Sequence, residues 1–381
     1  MANTLTSLAP DLYSALDVIS RELVGFIPAV TRDSTVERAA VGQTVRSFVA
    51  PAVTASDITP AVTPPNDGDQ TINNISLAIT KARRVPFRWN GEETKGVNNN
   101  GAGFSNIRTN QIQQAMRTLT NEIEADIAAQ HIYASRATGS AATALFATNL
   151  KDPANARKIL SDNGAPLSNG ELQLVIDTAS GAAMRTLAQL TKANEAADVS
   201  MLRQGVLLDI HGFQIRESAQ VVQAPAVGTS SFSSGTAGFA KGSTSITITG
   251  TGSLLAGDII TFAGDTNQYV VATAIAAAGT LVIAAPGLQQ ALPASAKAIT
   301  VIASANRSMA FSRNAIVLAQ RLPALPDGGD MAIDRMTITD PRSGLAFEVA
   351  MYAQYRQMQY EISCAWGVKT VKPEHLALLI S

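Results

Sequence analysis

Between residues 44 and 89, two stretches of strand-like alternation flank a proline-rich tip, and no other segment restricts the fold so tightly. Ile75, Leu77 and Ile79 alternate with Ser76, Ala78 and Thr80, the period of two that a half-buried strand requires. The alternation continues more weakly through Val85, Phe87 and Trp89, and residues 44–53 are the expected partner strand. Between them lie Pro60, Pro64, Pro65 and the turn Asn66-Asp67-Gly68-Asp69, a composition that punctuates strands. The whole reads as one long two-stranded ribbon. Eleven residues of strand reach about 37 Å, and an isolated hairpin of that kind is marginal in water. The ribbon therefore needs a surface to lie on, and a neighbouring subunit is the natural one.

The segments around it predict a mixed α+β chain. Leu12, Leu16, Ile19 and Leu23 step by four, three and four, so residues 10–27 read as an amphipathic helix ended by Pro28. An extended arm over 31–41 follows, with little core of its own. Residues 106–135 hold no Gly or Pro, and Ile112, Met116, Leu119, Ile123 and Ile127 share one face. That predicts a helix about 45 Å long, a spine on which a sheet can pack. Residues 140–222 alternate short helices and strands, with strand 172–177, a helix near Met184, Leu187 and Leu190, and a tight turn at Gly212.

Composition shifts at 223. Residues 228–242 are rich in Gly, Ser and Thr and read as a linker. Short strands are expected at 245–249, 258–263, 268–273, 280–284 and 298–302, a spacing that suggests a small inserted barrel or sandwich. Residues 312–321 read as a helix stopped by Pro323 and Pro326. Three closing strands, over 332–339, 345–351 and 357–366, form an antiparallel meander whose apolar face the spine helix would cover.

The candidate chemistry is sparse. Lys81, Arg83, Arg84 and Arg88 form the densest basic cluster, interleaved with Phe87 and Trp89. It could contact nucleic acid, keep an edge strand soluble, or pair with acids on a neighbour. The last is favoured, and Arg83, Arg84, Arg88 and Trp89 are the candidate intersubunit residues. Glu122 and Asp126 lie four apart on the spine helix, where a solvated or intersubunit flank is favoured over a paired-carboxylate site. His131, His211 and His375 are scattered and make no metal-ligand spacing. Asn66–Asp69 lacks the spaced acids of a calcium loop. The single cysteine, Cys364, sits on the apolar face of a strand and reads as inert packing. The sequence shows no phosphate loop, nucleophile elbow or zinc spacing, so no catalytic, cofactor or metal site is expected.

Net charge is −1, from 30 acids and 29 bases, which argues against a dedicated nucleic-acid reader though not against a wall enclosing DNA. Charged residues make up only 15% of the chain, and obligate interfaces are depleted in charge. No secretory leader is read at the N-terminus and no apolar run is long enough to span a membrane.

The order of segments resembles the major capsid proteins of tailed bacteriophages, which have the Hong Kong 97-like fold. "NTLTSLAPDLYSALDVISRELVGFIPAV", "PPNDGDQTINNISLAITKARRVPFRWNGEE" and "MAFSRNAIVLAQRLP" are similar to stretches of the coat proteins of short-tailed Salmonella-type phages. The resemblance implies an N-terminal arm (1–43), an extended loop (44–95), a peripheral domain with the spine helix (96–136), and an axial domain in two parts (137–222 and 306–329). It implies a β-barrel insertion domain (223–305) and a peripheral sheet with the C-terminus (330–381). It also implies pentamers and hexamers in an icosahedral shell around double-stranded DNA, with scaffolding and portal proteins and in some cases decoration proteins as partners. The expected place is the virion, assembled in the bacterial cytoplasm. Some relatives crosslink through Lys and Asn; Lys81 and Lys95 lie nearby, but no crosslink is expected. The rival readings are an encapsulin compartment, which the insertion disfavours, a hydrolase or lyase using Glu122, Asp126 or His131, and a surface adhesin. Deletion of 225–303 is expected to leave a foldable core with impaired stability or size control.

Overall fold

The computed structural model describes residues 23–49, 55–63, 68–99, 104–141, 143–168, 170–187, 190, 209–224, 231–340 and 343–381. The expected helix at 10–27 falls almost wholly outside these residues, as do Asn66 and Asp67.

The described chain begins with a four-residue helix, α1 (Phe26–Ala29), and the strand β1 (Thr31–Ala39). β2 (Thr44–Val49) and β3 (Asn73–Ala78) form the predicted ribbon, paired from Thr44↔Ala78 to Val49↔Asn73. β4 (Lys81–Asn90) follows, then α2 (Gly91–Asn99) and the long helix α3 (Phe104–Ala128), which tightens into a 3-10 turn at Ala129–Tyr133. Asn90 and Glu93 cap α2 reciprocally: the Glu93 N–H donates to Asn90 Oδ1 at 2.7 Å and the Asn90 N–H to Glu93 Oε2 at 3.0 Å. β5 (Arg136–Gly139), α4 (Lys151–Asp162), β6 (Leu172–Ile176), α5 (Thr178–Thr186) and β7 (Phe213–Glu217) come next. Six short strands succeed them: β8 (Ser231–Ser234), β9 (Ser245–Thr251), β10 (Ile259–Phe262), β11 (Gln268–Val270), β12 (Gly279–Val282) and β13 (Ile299–Val301). β14 (Arg307–Ser312), β15 (Ile316–Pro323), β16 (Ala332–Thr339), β17 (Ala346–Gln354), β18 (Gln357–Thr370) and β19 (Leu376–Ile380) complete the chain.

Strand β18 organises one sheet. One of its edges carries β4, in register from Lys81↔Trp366 to Asn90↔Gln357. The other carries β17 and then β15, with β16 beyond β17 and β1 beyond β15. Helix α3 lays Leu119, Ile123 and Ile127 against Phe347, Ile362 and Trp366, all buried in one core, as the meander expectation required. Asp126 fixes the contact by accepting from Trp366 Nε1 at 2.8 Å.

Four expectations are corrected. Residues 316–323 are a strand, not a helix. β15 lies between β1 and β18 and is buried on both faces, so its apolar run lacks the alternation that marks an edge strand. β4 belongs to the sheet rather than to the ribbon, because β18 pairs along its whole length. The arm is not coreless: Pro28 lies inside α1, and Phe26, Ile27, Ala29 and Val30 are fully buried. The expected linker at 228–242 includes β8, whose Phe232 is core. The sequence reading also missed β19, a fully buried strand between β5 and β14.

All five strands expected in 245–302 are present. Their pairing runs β13-β10-β11 and β12-β9-β8, and single bridges at Val271↔Ile283 and Ser233↔Ala298 join the two sets. Ile246, Ile248, Ile260, Phe262 and Leu281 fill the space between them. This unit is not separate from the rest. β11 pairs with β5, which extends the second large sheet, and Ile259 and Val270 enter the main core.

Candidate intersubunit surfaces

The basic strand was the sharpest sequence candidate. Because β4 alternates on a sheet edge, Lys81 and Arg83 lie on the face toward α3, and Arg84 lies on the opposite face beside Glu361. Lys81 Nζ sits 2.6 Å from Asp126 Oδ1, Arg83 Nε 3.4 Å from Glu122 Oε2, and Arg84 Nη1 2.7 Å from Glu361 Oε2. Glu122 and Asp126 are thus engaged as structural counter-charges. Arg83 and Arg84 already have acids in their own chain, while keeping well over half of their side chains open to solvent. Exposed pairs of this kind contribute about 0–1 kcal/mol each, so they orient the strand more than they stabilise it. Trp89 is largely buried rather than open on the surface: it is 5% exposed, and its indole N–H donates to Gln111 Oε1 at 2.8 Å.

Sequence reasoning missed the acid that matters more. Glu124 faces inward from α3 and is 1% exposed. Its carboxylate accepts the backbone N–H of Phe26 at 3.0 Å and of Ile27 at 2.8 Å, and the Ser218 hydroxyl at 3.0 Å. One side chain therefore ties the spine helix, the start of the arm and the segment after β7 together. Burial drives the carboxyl pKa above its ordinary value, against the pull of these donors. Gly25 completes the joint, since a Cβ there would lie 2.4 Å from the Glu217 carbonyl oxygen. A signal existed in the sequence: Thr120, Glu124 and Ala128 run at four-residue steps beside the apolar stripe, and all are buried.

The ribbon is the opposite case. At its base Leu77 and Ile79 pack on Ala319 and Ala365. Gly367 permits this approach, because a Cβ there would come within 2.0 Å of the Ala78 carbonyl oxygen. Toward the tip, residues 55–63 and 68–72 are all exposed, and Ile58 and Val62 are as open as in an extended chain. Beyond the packed base, Ile58 and Val62 are therefore bare apolar side chains.

The remaining candidates are packing or turn groups. Cys364 is fully buried, and burial pushes its thiol pKa up to about 12. The folded chain is accordingly expected to leave Cys364 unlabelled by a thiol reagent at neutral pH and to expose it only on unfolding; rapid labelling of the native protein would contradict that placement. His131 contacts the Ala128 carbonyl at 3.2 Å, and burial lowers its pKa. His211 sits in the tight turn before Gly212, with φ 53°. Among the described residues no cluster of His, Cys, Asp and Glu could hold a metal, and no helix is long and apolar enough to cross a membrane.

No family model matches the chain, and no curated protein matches it. Solved structures do. A chain in the capsid structure of the cyanophage P-SCSP1u is 11% identical and superposes with a TM-score of 0.50, over 98% of this chain and 93% of that one. A chain from Mycobacterium phage Che8 is 14% identical, with a TM-score of 0.48 over 99% and 98%. One from the capsid of a native GTA particle is 10% identical, with a TM-score of 0.49 over 98% and 95%. The cyanophage likeness places this chain in the fold class of a phage capsid chain, as a mixed α+β protein matched end to end.

Proposed function

We propose that this chain is the major capsid protein of a tailed bacteriophage. Its role is structural, and no catalytic step is assigned to it. The observation that carries the reading is the near-complete overlap with the cyanophage capsid chain, reinforced by a ribbon that leaves its own fold bare. A shared fold alone does not fix function, so the exposed end of the ribbon supplies the physical argument: a two-stranded, solvent-covered element is marginal until it packs on another surface.

In this reading the fold is Hong Kong 97-like. Residues 1–43 are the arm, 44–80 the extended loop, and α3 the spine of a peripheral domain whose sheet includes β4. Residues 137–222 and 306–315 form the axial domain, β15 lying in the peripheral sheet, and 223–305 are a β-barrel inserted between its parts. Pentamers and hexamers close an icosahedral shell over double-stranded DNA without reading its sequence. Scaffolding, portal and decoration proteins are the further partners, and assembly takes place in the bacterial cytoplasm. Arg83, Arg84 and Arg88 remain intersubunit candidates, because their exposed guanidinium groups can share acids with a neighbour. Expressed with its scaffolding protein, the chain is expected to sediment as large closed particles. A chain that stays monomeric under every assembly condition contradicts the proposal.

A further inference from the structure

At the end of β4 far from the ribbon, a cleft of about 770 Å³ opens between α2 and the turn joining β17 to β18. Its floor is apolar and aromatic, from Trp89, Met358 and Tyr360. Lys95 of α2 and Arg356 of the turn stand at its rim, both exposed. Neither takes part in an ion pair among the described residues, and no acid lines the cleft. The Arg108 guanidinium lies 5.7 Å from the centre of the Tyr360 ring. A concave site with an apolar floor and unneutralised positive charge selects a ligand that is both apolar and anionic.

The ribbon tip has that chemistry. Residues 50–72 contain Asp57, Asp67 and Asp69 and no Lys or Arg. Asp57, Asp69, Ile58 and Val62 are exposed. We propose that the ribbon tip of one copy seats in the Lys95–Arg356 cleft of a neighbouring copy, its aspartates against the two cations and its apolar residues over Tyr360 and Met358. The contact joins two different patches, so it is heterologous: each copy gives a tip and receives one, and the contact can propagate around a ring. The proposal rests on the shell reading, and names the seat where the ribbon docks.

Cysteine pairs test it, because the native Cys364 is fully buried and does not compete. Asp57→Cys or Asp69→Cys is combined with Lys95→Cys or Arg356→Cys, and particles are oxidised after assembly. At least one of the four pairings is expected to give a ladder of linked multimers on a non-reducing gel, with monomer only from each single variant. Should the cysteines block assembly, charge exchange decides. Lys95→Glu with Arg356→Glu is expected to cut particle yield at least tenfold, and adding Asp57→Lys with Asp69→Lys is expected to recover most of it. Normal particles with no ladder from any pair, or no recovery on charge exchange, overturn the docking and leave the shell reading standing. An unaltered chain that forms no particles overturns both.

Discussion

Replacing Glu124 with alanine is expected to destabilise the folded chain by about 3–5 kcal/mol, since each buried donor left without a partner costs about 1–3 kcal/mol. Three donors are stranded at once: the N–H groups of Phe26 and Ile27 and the Ser218 hydroxyl. The loss falls where the arm leaves the core, so Phe26 and Ile27 are expected to lose amide-exchange protection before the sheet does. Equilibrium unfolding measures the total. A change under about 1 kcal/mol, within the range of ordinary surface substitutions, would mean that the joint is held by packing alone.

The same residue predicts a pH dependence. Burial raises the folded-state pKa of Glu124 above its usual value. The folded chain therefore binds this proton more tightly than the unfolded chain. The group's contribution to stability is complete below the unfolded pKa and is lost as pH rises through the raised folded value. Glu124→Gln has no such titration, so its deficit relative to the wild type is expected to narrow across that window. A gap that widens with rising pH there would contradict the assigned direction.

The second large effect concerns residues 225–303. Sequence alone suggested that this segment could be removed to leave a foldable core. That reading also expected impaired stability, and the structure argues for a larger loss. Deletion strips Ile259 and Val270 from the main core and leaves β5 without β11 on one edge. Burying one such side chain contributes about 1.5–3 kcal/mol, so the two together approach the smaller end of the 5–15 kcal/mol that holds a domain folded, about 5 kcal/mol. Arg307 and Asp258 add to the damage, because the deletion removes the acid that faces this buried guanidinium across the junction. The truncated chain is expected to be insoluble or to unfold far below the wild-type temperature. A soluble truncation with a cooperative transition near that of the wild type would restore the modular view.

These two predictions also mark what the residues disclosed in advance. The ribbon, the spine helix, the meander and the strands of 245–302 were legible because each carries its own period and its own turn residues. Ile75, Leu77 and Ile79 announce a strand whatever they pack on. Most of the errors concern partners distant in the chain. Ile316–Pro323 has an apolar run that suits a short helix or a doubly buried strand, and only β1 and β18 decide between them. Arg84 looked free because its acid, Glu361, is 277 residues away. Trp89 looked exposed beside three cations until β18 and Gln111 enclosed it. Glu124 was passed over for Glu122 and Asp126, although only Glu124 turns inward, because a carboxylate beside an apolar stripe is ordinarily solvated.

In the proposed shell, function lies between chains, with the ribbon as the reaching element. Cryo-electron microscopy of particles assembled from the purified chain tests it most directly. The prediction is closed icosahedral shells built from five- and six-fold clusters, in which density for β2 and β3 leaves its own subunit and lies on the next. Particles in which the ribbon folds back on its own chain, or a field of single molecules under conditions that include the scaffolding protein, would contradict it.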